Sequence, residues 1–355
     1  MAITGWMRTN KIKIMSKSKI KTDEIKKILC IKPRGIGDIV LSTIVLENLK
    51  DHFPASEIHY LTEEFAKLSI ANNPLVKKVI TYKKTDFILC IIKNIRKEKY
   101  DIVFDFWSNP KTAQITFLSG AKHRVGFGYR GRKYAYNIVA DSGRGDVHSA
   151  EHNLELLNEL SIPVKSKHIH FYISESENNK AKKYFDEVFK KNELVIGIIP
   201  SGGWASKRCD AKKWIEFCEK IYSKYRNKFL ILWGPGDEND ATQIYYTLKD
   251  ISVLAPQTDV AEMAGLISLC DLVIANDSGP MHIAAAMKVP TLGIFGPTDP
   301  KKHGPYSSNS DYIIKDDLHC IICNKLVCPY NQECMKELSP DHLLLKVEKL
   351  LNEKN

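Results

Sequence analysis

No apolar stretch in this 355-residue chain approaches the about 18 consecutive residues that a membrane-spanning helix needs. The N-terminal stretch also lacks the apolar core and small-residue cleavage site of a secretory signal. A soluble or at most peripheral protein is therefore expected. The spacing G-x-x-x-x-G-K-S/T occurs nowhere, which argues against a P-loop kinase or ATPase. A dinucleotide fingerprint fails as well, because Gly35 and Gly37 are followed by Val40 where G-x-G-x-x-G requires a third glycine.

The nine cysteines do not form the even, regularly spaced set of a secreted disulfide framework. Cys30, Cys90, Cys218 and Cys270 lie inside apolar runs, where a thiol acts as a small hydrophobe and a reducing cytoplasm is the simpler setting. Cys320, Cys323, Cys328 and Cys334 are spaced C-x2-C-x4-C-x5-C, which offers either four thiolates to zinc or reduced thiols packing a loop. The formal charge of +10 suggests nucleic acid or anionic lipid, but Met1 to Lys27 alone holds eight Lys or Arg against Asp23 and Glu24. That segment reads as a flexible basic leader, 1–26, able to brush anionic lipid; the rest of the chain is only mildly basic.

From Lys27 onward, short apolar runs (KILCIK, SEIHYLT, VKKVITY, YDIVFDF) alternate with helical periodicity (DIVLSTIVLENLK, DFILCIIKNIR). Alternation of this kind predicts a parallel sheet covered on both faces. The pattern restarts at LVIGIIP, followed by a helix with Asp210 as N-cap and Trp214, Phe217, Cys218 and Ile221 on one face. KFLILWG, ISVLA, DLVIAND and TLGIFG continue it. The expected architecture is α/β, with Rossmann-like doubly wound units over 27–175 and 190–338 enclosing a cleft. The amphipathic segment 339–355 is expected to form a helix packed back on the first unit.

Three strand-end loops of the second unit suit phosphate. Ser201 and Gly202 in PSGGWASKR offer a hydroxyl and backbone donors, and Lys207 adds a cation. WGPGDEND places Glu238 after a sharp turn, where it can face a ribose or base. In NDSGPMHIAAAM a turn at Asp277, Ser278 and Gly279 opens a helix with Pro280 in its first turn and His282 one turn in, so that free amides meet a diphosphate. In the first unit KPRGIGD leads into a helix with Asp38 in its first turn, where a carboxylate stays ionised and can serve as a base.

The stretches RGIGDIVLSTIVLENLK, PSGGWASKRCDAKKW, WGPGDEN and above all NDSGPMHIAAAMKVPTLGIFGPTDP resemble glycosyltransferase family nine, the heptosyltransferases that build the inner core of bacterial lipopolysaccharide. The resemblance runs from about Lys27 to the last helix and implies two Rossmann-like domains in the GT-B arrangement. It implies Asp38 as catalytic base, with Ser201, Gly202, Lys207, Glu238, Asp277, Ser278, Gly279 and His282 around a nucleotide diphosphate sugar, ADP-heptose by default. No cofactor is implied. D-x-D is absent, so no carboxylate-held metal is indicated.

An anionic glycolipid acceptor would lie on the first unit, where HRVGFGYRGRKYAYN carries Arg124 and Arg130 among aromatics. RNA would use similar residues but would leave the phosphate loops without purpose. A cytoplasmic enzyme, touching at most the inner face of the inner membrane, is the expectation. A non-catalytic nucleotide-sugar binding protein and a nucleotide-dependent oxidoreductase are the alternatives, and the presence of both Asp38 and Lys207 favours the enzyme.

Overall fold

A computed structural model describes residues 20–140, 143 and 145–353, so most of the basic leader lies outside the described residues. The described residues form two six-stranded sheets. The first holds β1 (Lys27–Ile31), β2 (Glu57–Glu63), β3 (Val76–Tyr82), β4 (Ile102–Asp105), β5 (His123–Phe127) and β6 (Ile138–Ala140) in the order β3-β2-β1-β4-β5-β6. The second holds β7 (Val195–Ile199), β8 (Lys228–Ile231), β9 (Ser252–Leu254), β10 (Leu272–Asn276), β11 (Thr291–Phe295) and β12 (Ser310–Ile314) in the order β12-β11-β10-β7-β8-β9.

All pairings are parallel. The composition of the central strands explains this. Residues of β7, β10 and β11 are buried throughout, as only a strand covered by helices on both faces can be. In each sheet the strand order reverses once, between β1 and β4 and between β10 and β7. A reversal leaves a crevice beyond the carboxyl ends of the two strands, and open α/β sheets bind ligands there.

The basic stretch around Arg124 and Arg130, expected from sequence to bear the acceptor, contains β5 and the chain leading to β6. Gly126 of β5 lies flat against the Tyr136 ring, with no room for a side chain. The Tyr136 hydroxyl donates to Asp105 Oδ2 at 2.8 Å, so β5 and Tyr136 belong to the core while the turn between them is exposed. Of the cysteines expected in the interior, Cys30, Cys218 and Cys270 are buried, whereas Cys90 is exposed on the outer side of the helix Ile88–Glu98.

The last helix, Pro340–Asn352, corrects an expectation. It packs on the second sheet, with Leu343, Val347 and Leu350 in the same apolar cluster as Ile196, Trp214 and Phe217. Charge fixes its register: Lys346 reaches Asp311 of β12 at 3.0 Å and Lys220 reaches Asp341 at 2.5 Å. The helix Glu175–Val188 also serves the second unit, packing on Val260–Ile267. There a Cβ on Gly265 would stand only 2.9 Å from Ala181 Cβ, so glycine permits the close crossing. Just before it, the chain still follows the first unit, with Asn48 Oδ1 accepting from the amides of Lys165 and Ser166 at 2.8 and 2.9 Å.

Candidate active site

A cleft of about 1310 Å³ opens between the carboxyl edges of the two sheets. Two helices face each other across its floor: Ile36–Ser42, which follows β1, and Gly279–Ala286, which follows β10. Their approach depends on glycine. A Cβ on Gly37 would lie 2.5 Å from His282 Cδ2, and one on Gly279 would lie 3.0 Å from Ile36 Cβ. The second glycine of RGIGD is thus required by the opposing unit. Gly35 has φ +79° and lies directly beneath the Asp38 carboxylate, so both its conformation and its neighbour exclude a side chain.

Asp38 is half exposed to the cleft, and the buried Lys32 ammonium stands 3.7 Å from its Oδ1. Lys32 also donates to the Phe106 carbonyl at 3.2 Å and lies 5.1 Å from the centre of the Trp107 ring. Its stem is covered and its charge is aimed at the carboxylate. Sequence reading missed Lys32, although a lysine closing an apolar strand directly before a glycine turn was a usable signal.

On the opposite wall, Lys207 Nζ lies 2.6 Å from Asp277 Oδ2 and 4.2 Å from the centre of the Trp204 ring. The same Asp277 oxygen accepts from Thr298 Oγ1 at 2.6 Å. Asn276 ties the two loops together by donating to the Pro200 carbonyl at 2.7 Å. Arg208 clamps the Ser201–Lys207 loop, its Nε donating to the Gly202 carbonyl at 2.8 Å while its NH1 pairs with Asp237 at 2.8 Å. From behind, the Gln332 amide reaches the carbonyls of Ala205 and Arg208 at 3.1 and 2.9 Å.

Among the described residues, three buried polar atoms in this wall find no hydrogen-bond partner: Ser201 Oγ, Ser278 Oγ and His282 Nδ1. Buried polar groups are normally paired, so a cluster of orphans beside a lysine and a helix N-terminus is arranged for something that supplies the partners. His282 is held neutral. Burial pushes its pKa down to about 4, against the pull of Asp277 and, more weakly, Asp38. A neutral imidazole can donate or accept a hydrogen bond without adding charge.

The structure therefore brings together Asp38, Ser201, Gly202, Lys207, Asp277, Ser278, Gly279 and His282 in one cleft wall or the other. It does not bring Glu238, Arg124 or Arg130 there. Asp237 occupies the cleft wall, while Glu238 begins the helix Glu238–Thr247 and is exposed. Arg124 is occupied within its own unit by the carbonyls of Ala135 and Ala121 at 3.1 and 3.0 Å, and Arg130 sits on an exposed turn at φ +43°. The first-unit side of the cleft is lined instead by Arg34, Phe65, Trp107, Tyr129 and His152.

Cys320, Cys323, Cys328 and Cys334 line a separate cavity of about 60 Å³ behind Ser206, all as free thiols. Burial and the three neighbouring thiols push Cys334 up to about 11. Among the described residues no group of three or more His, Cys, Asp or Glu is placed to hold a metal.

The profile of glycosyltransferase family 9 (heptosyltransferase) matches residues 88–333. Lipooligosaccharide heptosyltransferase 2 of Campylobacter jejuni is 26% identical over 334 residues, covering 91% of this chain and 99% of that protein. Among solved structures, a family 9 glycosyl transferase from Veillonella parvula superposes with a TM-score of 0.80 at 21% identity, over 92% of this chain and 97% of its own. The Escherichia coli ADP-heptose LPS heptosyltransferase II superposes with a TM-score of 0.77 at 19% identity, over 92% and 99%. The two facing Rossmann-like units are the GT-B fold. With the family profile covering more than half of its length, the chain belongs to glycosyltransferase family 9 and is a glycosyltransferase.

Proposed function

We propose that the enzyme transfers heptose from ADP-heptose to an anionic glycolipid of the lipopolysaccharide core, with inversion at the anomeric carbon. The observation that carries the donor half is the trio of unpartnered buried atoms Ser201 Oγ, Ser278 Oγ and His282 Nδ1 beside Lys207, at the strand-order reversal of the second sheet. The diphosphate would take their hydrogen bonds together with the free amides of the helix Gly279–Ala286. Lys207 would reach it without leaving Asp277, since an ammonium has three donors and the pair occupies one. The relatives' names supply the sugar and the base: one is a lipooligosaccharide heptosyltransferase and another an ADP-heptose enzyme.

Asp38, on the opposite unit, would remove the proton from an acceptor hydroxyl as that oxygen attacks the anomeric carbon from the face away from the diphosphate. Charge then develops on the departing phosphate, where Lys207 and the helix amides are already oriented, so little reorganisation is needed in the transition state. Lys32 would hold Asp38 in place. The test is ADP release from ADP-heptose, followed with and without a heptose-deficient lipopolysaccharide core. Acceptor-dependent release with a product one heptose heavier supports the proposal; release that is indifferent to acceptor, or none, contradicts it.

A further inference from the structure

We infer that the β3 to Ile88–Glu98 connection and the adjoining Glu64–Ser69 turn form a docking surface for an anionic lipid bilayer at the acceptor side of the cleft. The inference rests on the glycolipid reading of the acceptor and adds to it the part of the molecule that meets the membrane.

Phe87 is 82% exposed, Leu89 71% and Phe65 58%, the three lying on two neighbouring segments. The segments adjoin, because Lys83 of one pairs with Glu64 of the other at 3.6 Å. Scattered exposed apolar residues are ordinary, whereas large ones gathered on a projecting turn mark an interaction site. Asp86 Oδ2 accepts from the Lys83 amide at 2.8 Å, which closes the turn directly before Phe87, the residue that leads into the helix Ile88–Glu98.

The charge around them selects a lipid partner over an apolar protein groove. Lys67, Lys83, Lys84 and Lys93 are all exposed on these segments, against two acids, Glu64, which pairs with the Lys83 ammonium, and Asp86, which accepts from the Lys83 backbone amide. Aromatic and aliphatic side chains ringed by lysine suit the boundary between acyl chains and anionic headgroups, where each lysine adds attraction and each ring adds buried area. Topology sets the position. β1, β2 and β3 are parallel, so the turns after β2 and β3 leave the same sheet edge as the segment that carries Asp38. Phe65 and Leu68 themselves line the cleft. A bilayer meeting Phe87 would therefore present a lipid-borne sugar at the mouth of the cleft, on the side of Asp38.

The test uses the full chain and sedimented vesicles, without donor or acceptor. One set contains phosphatidylethanolamine with phosphatidylglycerol, the other phosphatidylcholine alone. Phe65 is left intact because it borders the cleft. The wild-type protein should bind the anionic vesicles, and the double variant Phe87→Ser/Leu89→Ser should bind them at least about tenfold more weakly. Lys83→Gln/Lys84→Gln should lose about fivefold per lysine and become less sensitive to salt. Both variants should keep wild-type circular dichroism and wild-type transfer to a delipidated acceptor, so a failure here and a failure of the transferase reading are distinguishable. Undiminished vesicle binding by Phe87→Ser/Leu89→Ser overturns the inference, as does equal binding of the wild type to phosphatidylcholine. A concentration-dependent dimer that the same variant abolishes, with vesicle binding unchanged, would assign the surface to a second copy and also overturn it.

Discussion

Asp38 and His282 sit on opposite units, with the Asp38 charge near enough to act on the imidazole, and their chemistry separates cleanly. Asp38→Asn keeps the shape and removes the base, so turnover should fall by about 10² to 10⁴ while ADP affinity stays within a few-fold. Near-normal turnover in that variant would remove Asp38 from the mechanism. His282 gives a stability signature. Its folded pKa is depressed to about 4 from 6.5, so between those pH values the unfolded chain binds the extra proton. Stability should therefore fall as pH drops through that window, by at most about 1.4 kcal/mol per pH unit from this group, and be unaffected by it above. Urea unfolding midpoints at a series of pH values should show a shallower slope in His282→Asn; equal slopes in the two proteins would mean that the imidazole is not held neutral.

At the level of elements, two turns set the distance between the units. Gly37→Ala would drive a Cβ into the His282 ring, 2.5 Å from Cδ2, and could be accommodated only by parting the two helices. The expected result is a fall in kcat/KM of about 10²-fold with little loss of helix and strand content, since misplacement of reacting groups by about 1 Å has that effect. A wild-type rate would show that the close approach is dispensable. The central strands were legible because each is apolar along its whole length, and the turn NDSGP was legible because Pro280 has a fixed φ that suits the first turn of a helix. β5, β6 and β12 were not, because β6 and β12 are sheet edges and β5 is interrupted by glycine and arginine, so none carries a long apolar run. Asp237 lines the cleft and Glu238 does not: the turn Gly234–Gly236 was evident, but the inward position of Asp237 goes with its pairing to Arg208, a partner far away in sequence. Arg124 looked like a ligand because residue type alone does not show that its guanidinium is taken up by two nearby carbonyls, those of Ala121 and Ala135.

Over the whole molecule, the second unit is closed by the last helix. Its amphipathic pattern was plain in the sequence, but periodicity shows which face is buried and not which sheet covers it. Leu343 is fully buried against the layer that contains Trp214, so Leu343→Ala should destabilise by about 2 to 5 kcal/mol. Hydrogen exchange should localise the loss to β10–β12 and the helix Ala211–Tyr225; loss confined to β1–β6 would place the helix on the wrong unit.

The most direct test of the central claim is donor binding, measured as thermal stabilisation by a panel of ADP, UDP, GDP, NAD and their sugars where available. Ligand at about 100 times its dissociation constant should stabilise the folded protein by roughly 2.7 kcal/mol. ADP or ADP-heptose should give the largest shift, and Lys207→Ala should shrink it by removing a charge-assisted contact to phosphate. A response to NAD alone, or to no nucleotide at all, would contradict the assignment of the Ser201, Lys207 and Ser278 wall to a nucleotide diphosphate sugar.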